Sequence, residues 1–270
     1  MDTFSLLIKA YAVVLSLFGI FASTKKLNRF WKSRHLRKVW GIKNGDSVVI
    51  VCSELDNPEE RQNLEPREFI YSLKFGDLDA YIEVVVTILR LFPDIRLRVM
   101  SSGEAQNASF NLARHLILVG GPDYNAMTAR ILRMNSTQFG YRSPYLEHRS
   151  DQYPDEIVLH HTILDCESCH DTDERDFGYF ERIANPSDPN SNIILLGGCH
   201  TIGVTGAVKA FSMFESEHGE TPKVVMRNAK IVARGLRRNK KEFAVLFQVE
   251  RLGQNIGVPV VHAENVSFKQ

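Results

Sequence analysis

The chain has 270 residues, 44% of them hydrophobic, with 33 basic and 32 acidic side chains. These values are typical of a globular protein and exclude a wholly disordered chain, a collagen-like chain and a small disulfide-linked scaffold. A net charge of +1 gives no reason to expect a long nucleic acid as partner. The charges are nevertheless uneven, because residues 3–45 carry nine basic and no acidic side chains, whereas residues 46–222 carry 14 basic and 28 acidic ones.

The first predicted element is an apolar run at residues 4–22, which as a helix would span about 28 Å, close to the hydrocarbon thickness of a bilayer. A basic stretch with interleaved aromatic residues follows it. By the positive-inside rule, this pattern predicts a single-pass anchor (1–24) with the N-terminus outside the cell membrane. A basic juxtamembrane segment (25–45) at the inner leaflet and a cytoplasmic body (46–270) would follow. A cleaved signal peptide and a helix packed within the body are the alternatives.

The body alternates between strand-like and helix-like segments. Strands are predicted at 47–53, 95–100, 115–119, 157–164, 177–184, 192–196, 243–249 and 258–268. Helices are predicted at 77–92, 105–114, from 125 to 133, from 201 to about 214 and at 224–236. This alternation, with nearly continuous apolar strands, predicts an α/β fold. We expect a Rossmann-like, largely parallel sheet with helices on both faces and an antiparallel C-terminal extension.

Two of the predicted strands end in a double glycine that is followed at once by a helix: HLILV-GG-PDYN and NIILL-GG-CHTIGVTG. If these strands are parallel neighbours, both loops face one cleft at the carboxyl edge of the sheet, where helix N-termini favour anions. Asp123 or Asn125 would cap the first helix, and Thr201 or Thr205 the second. The candidate ligand-binding residues are Gly120, Gly121, Asp123, Asn125, Gly197, Gly198, His200, Thr201, Gly203 and Thr205.

The glycine loops also allow a purely structural interpretation, as tight strand-to-helix turns. Neither loop contains the Gly-Lys-Ser/Thr of a P-loop or the spacing of GxGxxG, so a hydrolytic NTPase is not expected. We favour a compact, anionic, nucleotide-like ligand that is held by loop amides. No long nucleic acid is expected, because the body is acidic.

Cys166, Cys169 and His170 form a CxxCH pattern within an acidic stretch. Haem attachment occurs outside the cytoplasm and conflicts with the predicted topology. Cys166 and Cys169 have the spacing of a zinc knuckle, but no second pair completes the ligand set. No metal site is therefore assigned. A zinc site, a redox dithiol and ordinary thiols remain as alternatives. No GxSxG, HExxH or kinase signature is present, so no catalytic residue is assigned.

The layout of residues 4–43, together with the loops at 120–125 and 197–206, resembles the membrane-anchored, nucleotide-sensing effectors of prokaryotic antiviral signalling. The resemblance concerns the order of parts and carries over no site residue. It implies that a second messenger binds in the cytosolic domain and that the chains form a homo-oligomer that perturbs the membrane. Lys9 within the apolar run is compatible with a polar lining of such an assembly, and also with a lysine that reaches the interface.

Three hypotheses follow from these observations. The first is a sensor-effector without enzymatic activity that binds a nucleotide-like messenger. The second is a membrane-tethered enzyme that acts on nucleotides or nucleosides. The third is a scaffold that recruits a protein partner through its acidic surface, in which case the glycine loops are structural.

Overall fold

The computed structural model describes residues 33–54, 75–107, 112–134, 137–142, 145–148, 157–159, 162–163, 174–213, 223–236, 241–253 and 255–269. The predicted anchor (1–24) and residues 25–32 lie outside these ranges. Within them, no helix has the length and apolar character needed to cross a bilayer. The anchor at residues 4–22 therefore stays a prediction.

The helices are α1 (residues 33–40), α2 (Phe75–Leu91), α3 (Ser102–Asn107), α4 (Ala126–Leu132), α5 (Thr201–Lys209) and α6 (Lys223–Gly235). The strands are β1 (Ser47–Cys52), β2 (Arg96–Ser101), β3 (His115–Val119), β4 (Phe139–Arg142), β5 (Tyr145–His148) and β6 (Ile157–Leu159). The remaining strands are β7 (Thr162–Ile163), β8 (Glu174–Asn185), β9 (Asp188–Gly198), β10 (Phe243–Leu252), β11 (Asn255–Ile256) and β12 (Val266–Phe268).

The main sheet has the strand order β11-β10-β8-β9-β3-β1-β2, with β12 and β7 paired to β10 and β8. The four strands β9, β3, β1 and β2 are parallel, whereas β8 and β10 are antiparallel to their neighbours. A two-residue turn joins β8 to β9, and such a short connection allows only antiparallel pairing. The predicted α/β class, the parallel central strands and the antiparallel C-terminal extension are confirmed.

Two hydrophobic cores lie on the two faces of this sheet. Alternate strand residues supply them, so that Val48 and Ile50 of β1 lie in one core and Val49 and Val51 in the other. Helices α1, α2, α5 and α6 cover the first core, and α3 and α4 cover the second. The prediction of helices on both faces is confirmed.

Helix α1 belongs to the folded body, although residues 25–45 were predicted as a juxtamembrane segment. Its residues Leu36, Val39 and Trp40 are fully buried in the first core. The Trp40 Nε1–H donates to the carbonyl of Phe211 at 3.1 Å, and the indole meets the ring of Phe180 edge-on at 5.3 Å. Basic residues dominate the other side of this helix, so a prediction based on charge alone does not recognise its apolar face.

Other differences from the predicted elements have local causes. The helix predicted at 105–114 is instead α3, which begins earlier because Ser101 and Glu104 form a reciprocal capping box. The strand predicted at 258–268 is reduced to β12. Strands β4 and β5, for which no strand was predicted, form a small sheet with β6, which lies within the strand predicted at 157–164.

Candidate functional site

The two glycine loops lie side by side at the carboxyl edge of the parallel strands. Strands β3 and β9 are parallel neighbours, with Val119 opposite Leu196. The Gly120 N–H extends this pairing by donating to the Leu196 carbonyl at 2.9 Å. The two strands are thus parallel neighbours, which is the arrangement expected if both loops face one cleft. Ligand binding in such a cleft stays a prediction.

Asn125 caps α4, as one of the two predicted alternatives had it. Its Oδ1 accepts hydrogen bonds from the N–H groups of Met127 and Thr128, and its Nδ2 donates to the carbonyls of Val51 and Val119. The side chain is fully buried, and both ends of its amide are used within the fold. Asn125 thus fastens α4 to the ends of β1 and β3. Asp123 is exposed in the preceding turn and does not cap the helix.

Gly120 allows a close approach of neighbouring side chains at the end of β3. Its φ of 101° lies in the region that favours glycine. A Cβ at this position would lie 2.9 Å from the Asp77 carboxylate and would overlap the Ser53 hydroxyl. The Gly121 carbonyl accepts the N–H groups of Tyr124 and Asn125 and so closes the turn.

At the second loop, the N-terminus of α5 is capped by a carboxylate from the neighbouring strand β8. Asp176 Oδ2 accepts hydrogen bonds from the N–H groups of Gly203 at 2.6 Å and His200 at 3.0 Å, and Oδ1 accepts from the Phe177 N–H. His200 occupies the N-cap position, is exposed and makes no side-chain capping bond. The prediction that Thr201 or Thr205 caps this helix is wrong, because α5 lies close enough to β8 for Asp176 to reach its first turn.

The glycines of the second loop permit close packing within the fold. A Cβ on Gly198 would lie 2.6 Å from the Gly203 Cα, and one on Gly197 would overlap the ring of Tyr179. Gly203 itself lies against the Phe177 carbonyl. These glycines let α5 rest directly on β8 and β9, and a bulky replacement would displace the helix as well as any ligand.

Carboxylates gather at this edge of the sheet. Asp176, Glu54 and Asp77 are all buried there, and Glu54 Oε2 accepts the Gly103 N–H at 2.6 Å. Burial raises the pKa of Asp176, and its three backbone hydrogen bonds oppose that shift. A phosphate at the start of α5 would have to replace Asp176. The edge therefore favours hydrogen-bond donors, such as hydroxyl or amino groups, over an anion at this helix N-terminus.

A cavity of about 320 Å³ opens beside α5 on the face of the first core. It is lined by Asp79, Ile82, Glu83, Thr205, Lys209, Asn255 and Ile256. Thr205 is the one predicted site residue among these lining residues. The β10–β11 hairpin forms one wall of the cavity. Phe247 of β10 and Gly198, the last residue of β9, lie at the same level, because both pair with Gly178 of β8. Since β10 runs on to Leu252, its end and β11 project beyond the end of β9.

Charge in the cavity is mixed. The Lys209 Nζ lies 3.9 Å from Glu83 Oε2. Burial raises the pKa of Glu83, while a hydrogen bond from Ser212 and the charge of Lys209 oppose that rise. The carboxylates of Asp79 and Glu83 can accept hydrogen bonds from a ligand, and the ammonium of Lys209 can pair with one anionic group.

Sequence reasoning missed most of the cavity lining. Glu83 lies four residues after Asp79, and this spacing, which places both on one face of α2, is a signal that could have found Glu83. Lys209 is 126 positions from Glu83, and no spacing pattern could pair them. Asn255 and Ile256 reach the cavity only because the chain reverses at Gly253, whose φ is 57°.

Among the residues that the structure describes, no cluster of His, Cys, Asp or Glu is arranged to hold a metal ion. Cys166 and Cys169, the zinc alternative, lie outside them. Two described cysteines, Cys52 and Cys199, are buried and form no disulfide. Burial raises the pKa of Cys52 to about 11, so its thiol stays protonated at neutral pH.

Comparison of the chain with protein-family models, curated proteins and solved structures found no match. Its function is therefore inferred from its own residues.

Proposed function

We propose that this chain is a membrane-anchored receptor that binds a nucleoside- or nucleotide-like messenger in the cavity between α2, α5 and the β10–β11 hairpin. The observation that carries the proposal is the position and lining of this cavity. It is lined by α2, α5 and β11, and α5 follows directly on the carboxyl end of β9, the side of the sheet where open α/β folds bind their ligands. Its volume is at the lower end of the range for small-molecule sites.

The lining residues suit the parts of a nucleotide. Asp79 and Glu83 would accept hydrogen bonds from ribose hydroxyls or base amino groups, as carboxylates do in dinucleotide sites. Lys209 would pair with a phosphate. Ile82 and Ile256 offer apolar surface for the base. A single cation among these residues favours a ligand with few phosphates.

Membrane attachment and assembly complete the proposal. The apolar run at residues 4–22 and the basic stretch after it support a single-pass anchor with the body on the cytoplasmic side. The resemblance in layout to antiviral effectors supports oligomerisation on ligand binding, with Lys9 as a polar residue of the assembled anchors. Ligand binding in the body would thereby be coupled to perturbation of the membrane.

The test is thermal unfolding of the full chain in detergent micelles with nucleosides, mononucleotides and cyclic dinucleotides. A ligand at about 100 times its Kd adds about 2.7 kcal/mol of stability and raises the Tm by a few degrees. Glu83→Gln and Lys209→Met should each weaken that ligand about 10- to 100-fold. The matched control is Glu264→Gln, because Glu264 is exposed and lies outside the cavity lining.

Two outcomes would overturn the binding proposal. One is the absence of a Tm shift with every compound, which would favour the protein-recruiting scaffold. The other is a shift that both cavity variants retain, which would place the ligand elsewhere on the molecule.

Glu83 also favours a second candidate function, a membrane-tethered enzyme that acts on nucleotides or nucleosides. A carboxyl group with a raised pKa in a cavity wall is suited to general acid or base catalysis. Chromatography of the recovered ligand separates the two functions. An unaltered ligand supports the receptor, whereas conversion that is lost in Glu83→Gln supports the enzyme.

A further inference from the structure

Two basic helices that are far apart in the sequence meet on the surface. The Lys38 Nζ of α1 donates to the Ala233 carbonyl of α6 at 2.6 Å, across 195 positions of the chain. The two helices contain no acidic residue. Their exposed basic side chains, named here the α1–α6 surface, are Arg34, Lys38, Lys223, Arg227, Lys230 and Arg234.

The residues of α6 form a single stripe. Lys223, Arg227, Lys230 and Arg234 follow each other at intervals of four, three and four residues and are all exposed. The opposite face of α6 is buried in the first core through Val225, Ala229 and Val232. The helix is therefore held in one orientation, with its cations towards solvent.

His35 shows that these charges converge. Burial lowers its pKa, and the positive charges of Arg34 and Lys38 on α1 and of Lys230 and Arg234 on α6 lower it further. Among the ion pairs of the described residues, none includes a cation of the α6 stripe. The potential is thus positive where the two helices meet.

We propose that the α1–α6 surface docks the body on an anionic lipid bilayer. The inference rests on the proposed function, because the anchor brings this surface to the membrane. Ten residues separate residue 22 from residue 33, and they can span at most about 35 Å. The anchor would hold α1 within that distance of the bilayer. An anionic surface attracts the six cations of the α1–α6 surface, whose two helices contain no acidic residue.

The experiment measures amine acylation of the full chain reconstituted in vesicles of phosphatidylcholine, with or without about one-third phosphatidylserine. Rates are read for each lysine by mass spectrometry. We expect Lys223 and Lys230 to react at least about threefold more slowly in anionic vesicles. Lys209, beside Glu83 at the cavity, is the internal reference. Salt at about 1 M should remove the difference, since it shortens the Debye length to about 3 Å.

Paired charge reversals make the test specific. The double variant R227E/K230E should lose the protection of Lys223. The matched control is R96E/R98E, which changes the net charge equally at two exposed residues of the edge strand β2. It should keep the protection. Equal thermal unfolding of the two variants checks that neither has lost its fold.

The outcomes separate this proposal from the anchor. Retention in vesicles through alkaline carbonate washing, with acylation rates that do not depend on lipid charge, would overturn the docking surface and leave the anchor intact. Loss in carbonate with salt-sensitive protection would support the surface and contradict the anchor. Protection by single-stranded RNA but not by anionic vesicles would overturn the lipid assignment in favour of a nucleic acid.

Discussion

Single residues set tight limits at the junction of α5 with the sheet. Gly198 and Gly203 touch across it, and Asp176 fills the hydrogen-bonding positions at the start of the helix. In the sequence, these glycines suggest contact with a ligand. In the structure, they allow the backbone of α5 to contact the backbone of the sheet. The stability of the body is therefore more sensitive to added methyl groups at this point than at exposed glycines.

Gly198→Ala should lower the free energy of unfolding by about 1–3 kcal/mol, because the new Cβ would lie 2.6 Å from the Gly203 Cα and neither backbone can yield easily. Chemical denaturation measures the loss. Gly257→Ala is the control, since its Cβ would have its nearest contact at 3.6 Å. Equal stability of the two variants would contradict the close packing of α5.

Glu181 predicts a dependence of stability on pH. It is buried on β8, where Oε1 accepts the Gln138 N–H at 2.6 Å and Oε2 has no partner. Burial raises its pKa from 4.5 to about 8. Hydrogen bonds from the backbone of Gln138 and Phe139 and the charge of Lys269 oppose this rise, and the charge of Glu242 adds to it. Burial raises the pKa of the Tyr179 phenol on the same strand, and the charge of Glu181 adds to that rise.

Because the pKa is higher in the folded state, the folded chain keeps a proton that the unfolded chain releases. The contribution of this proton to the free energy of unfolding is complete below about pH 4. It is lost as the pH rises to about 8, by up to about 1.4 kcal/mol per pH unit in that interval. Urea unfolding from pH 5 to 8 should show a smaller decline for Glu181→Gln than for the unaltered chain. The exposed control Glu264→Gln should decline as the unaltered chain does.

At the site, the sequence allowed part of the residue-level detail to be predicted. Asn125 could be identified as a cap because capping is decided within a few residues. The capping of α5 by Asp176 could not, because that carboxylate arrives from a strand 24 positions earlier. The pairing of Glu83 with Lys209 could not be predicted either, because the two residues are far apart in the sequence.

Among the elements, α1 connects regions that are distant in the chain. Its carbonyls at Lys38 and Val39 accept hydrogen bonds from the buried Arg182 guanidinium of β8. Its indole at Trp40 reaches Phe211 after α5. The helix therefore stabilises the sheet and the helix layer together.

Trp40→Ala should destabilise the body by about 3–5 kcal/mol, because it removes a fully buried ring and the hydrogen bond to Phe211. Trp40→Phe should cost less, since it keeps part of the buried ring. Leu89→Ala is the control, because Leu89 of α2 is 44% exposed and should change stability by less than about 0.5 kcal/mol. A similar Tm for Trp40→Ala and Leu89→Ala would show that α1 is dispensable.

The elements that could be predicted are those whose burial is evident from the pattern of apolar residues in their own segment. β1, β3 and β9 read as strands because their apolar runs are buried on both faces. β4 and β5 lack such runs, so their pairing was not visible. Helix α1 was missed because its basic face dominated its composition.

For the whole molecule, charge is segregated by position in the chain, and the described cations of α1 and α6 also lie together in space. Helix α1 contacts α6 through Lys38, while carboxylates from the acidic middle of the chain lie at the cavity and at the carboxyl edge. Such a molecule has a preferred orientation in an external field. A flat anionic surface would therefore select one face of the body.

The predicted anchor can be tested directly. The full chain should remain in the membrane pellet after alkaline carbonate extraction, and deletion of residues 4–22 should release it, since about 20 apolar residues suffice to span a bilayer. Lys9→Leu is the matched control and should stay in the pellet. Release of the full chain by carbonate would contradict the anchor.

The contact between Lys38 and Ala233 can form only late in synthesis, because 195 positions separate the two residues. Helix α1 leaves the ribosome early, but Phe211, Ala233 and the core residue Phe243 are made some 170 to 200 residues later. At about 5–20 residues per second, that interval lasts roughly 10–40 seconds. Trp40 stays without its native partners Phe180 and Phe211 for most of that time, so the nascent chain keeps this apolar ring exposed until those residues are made.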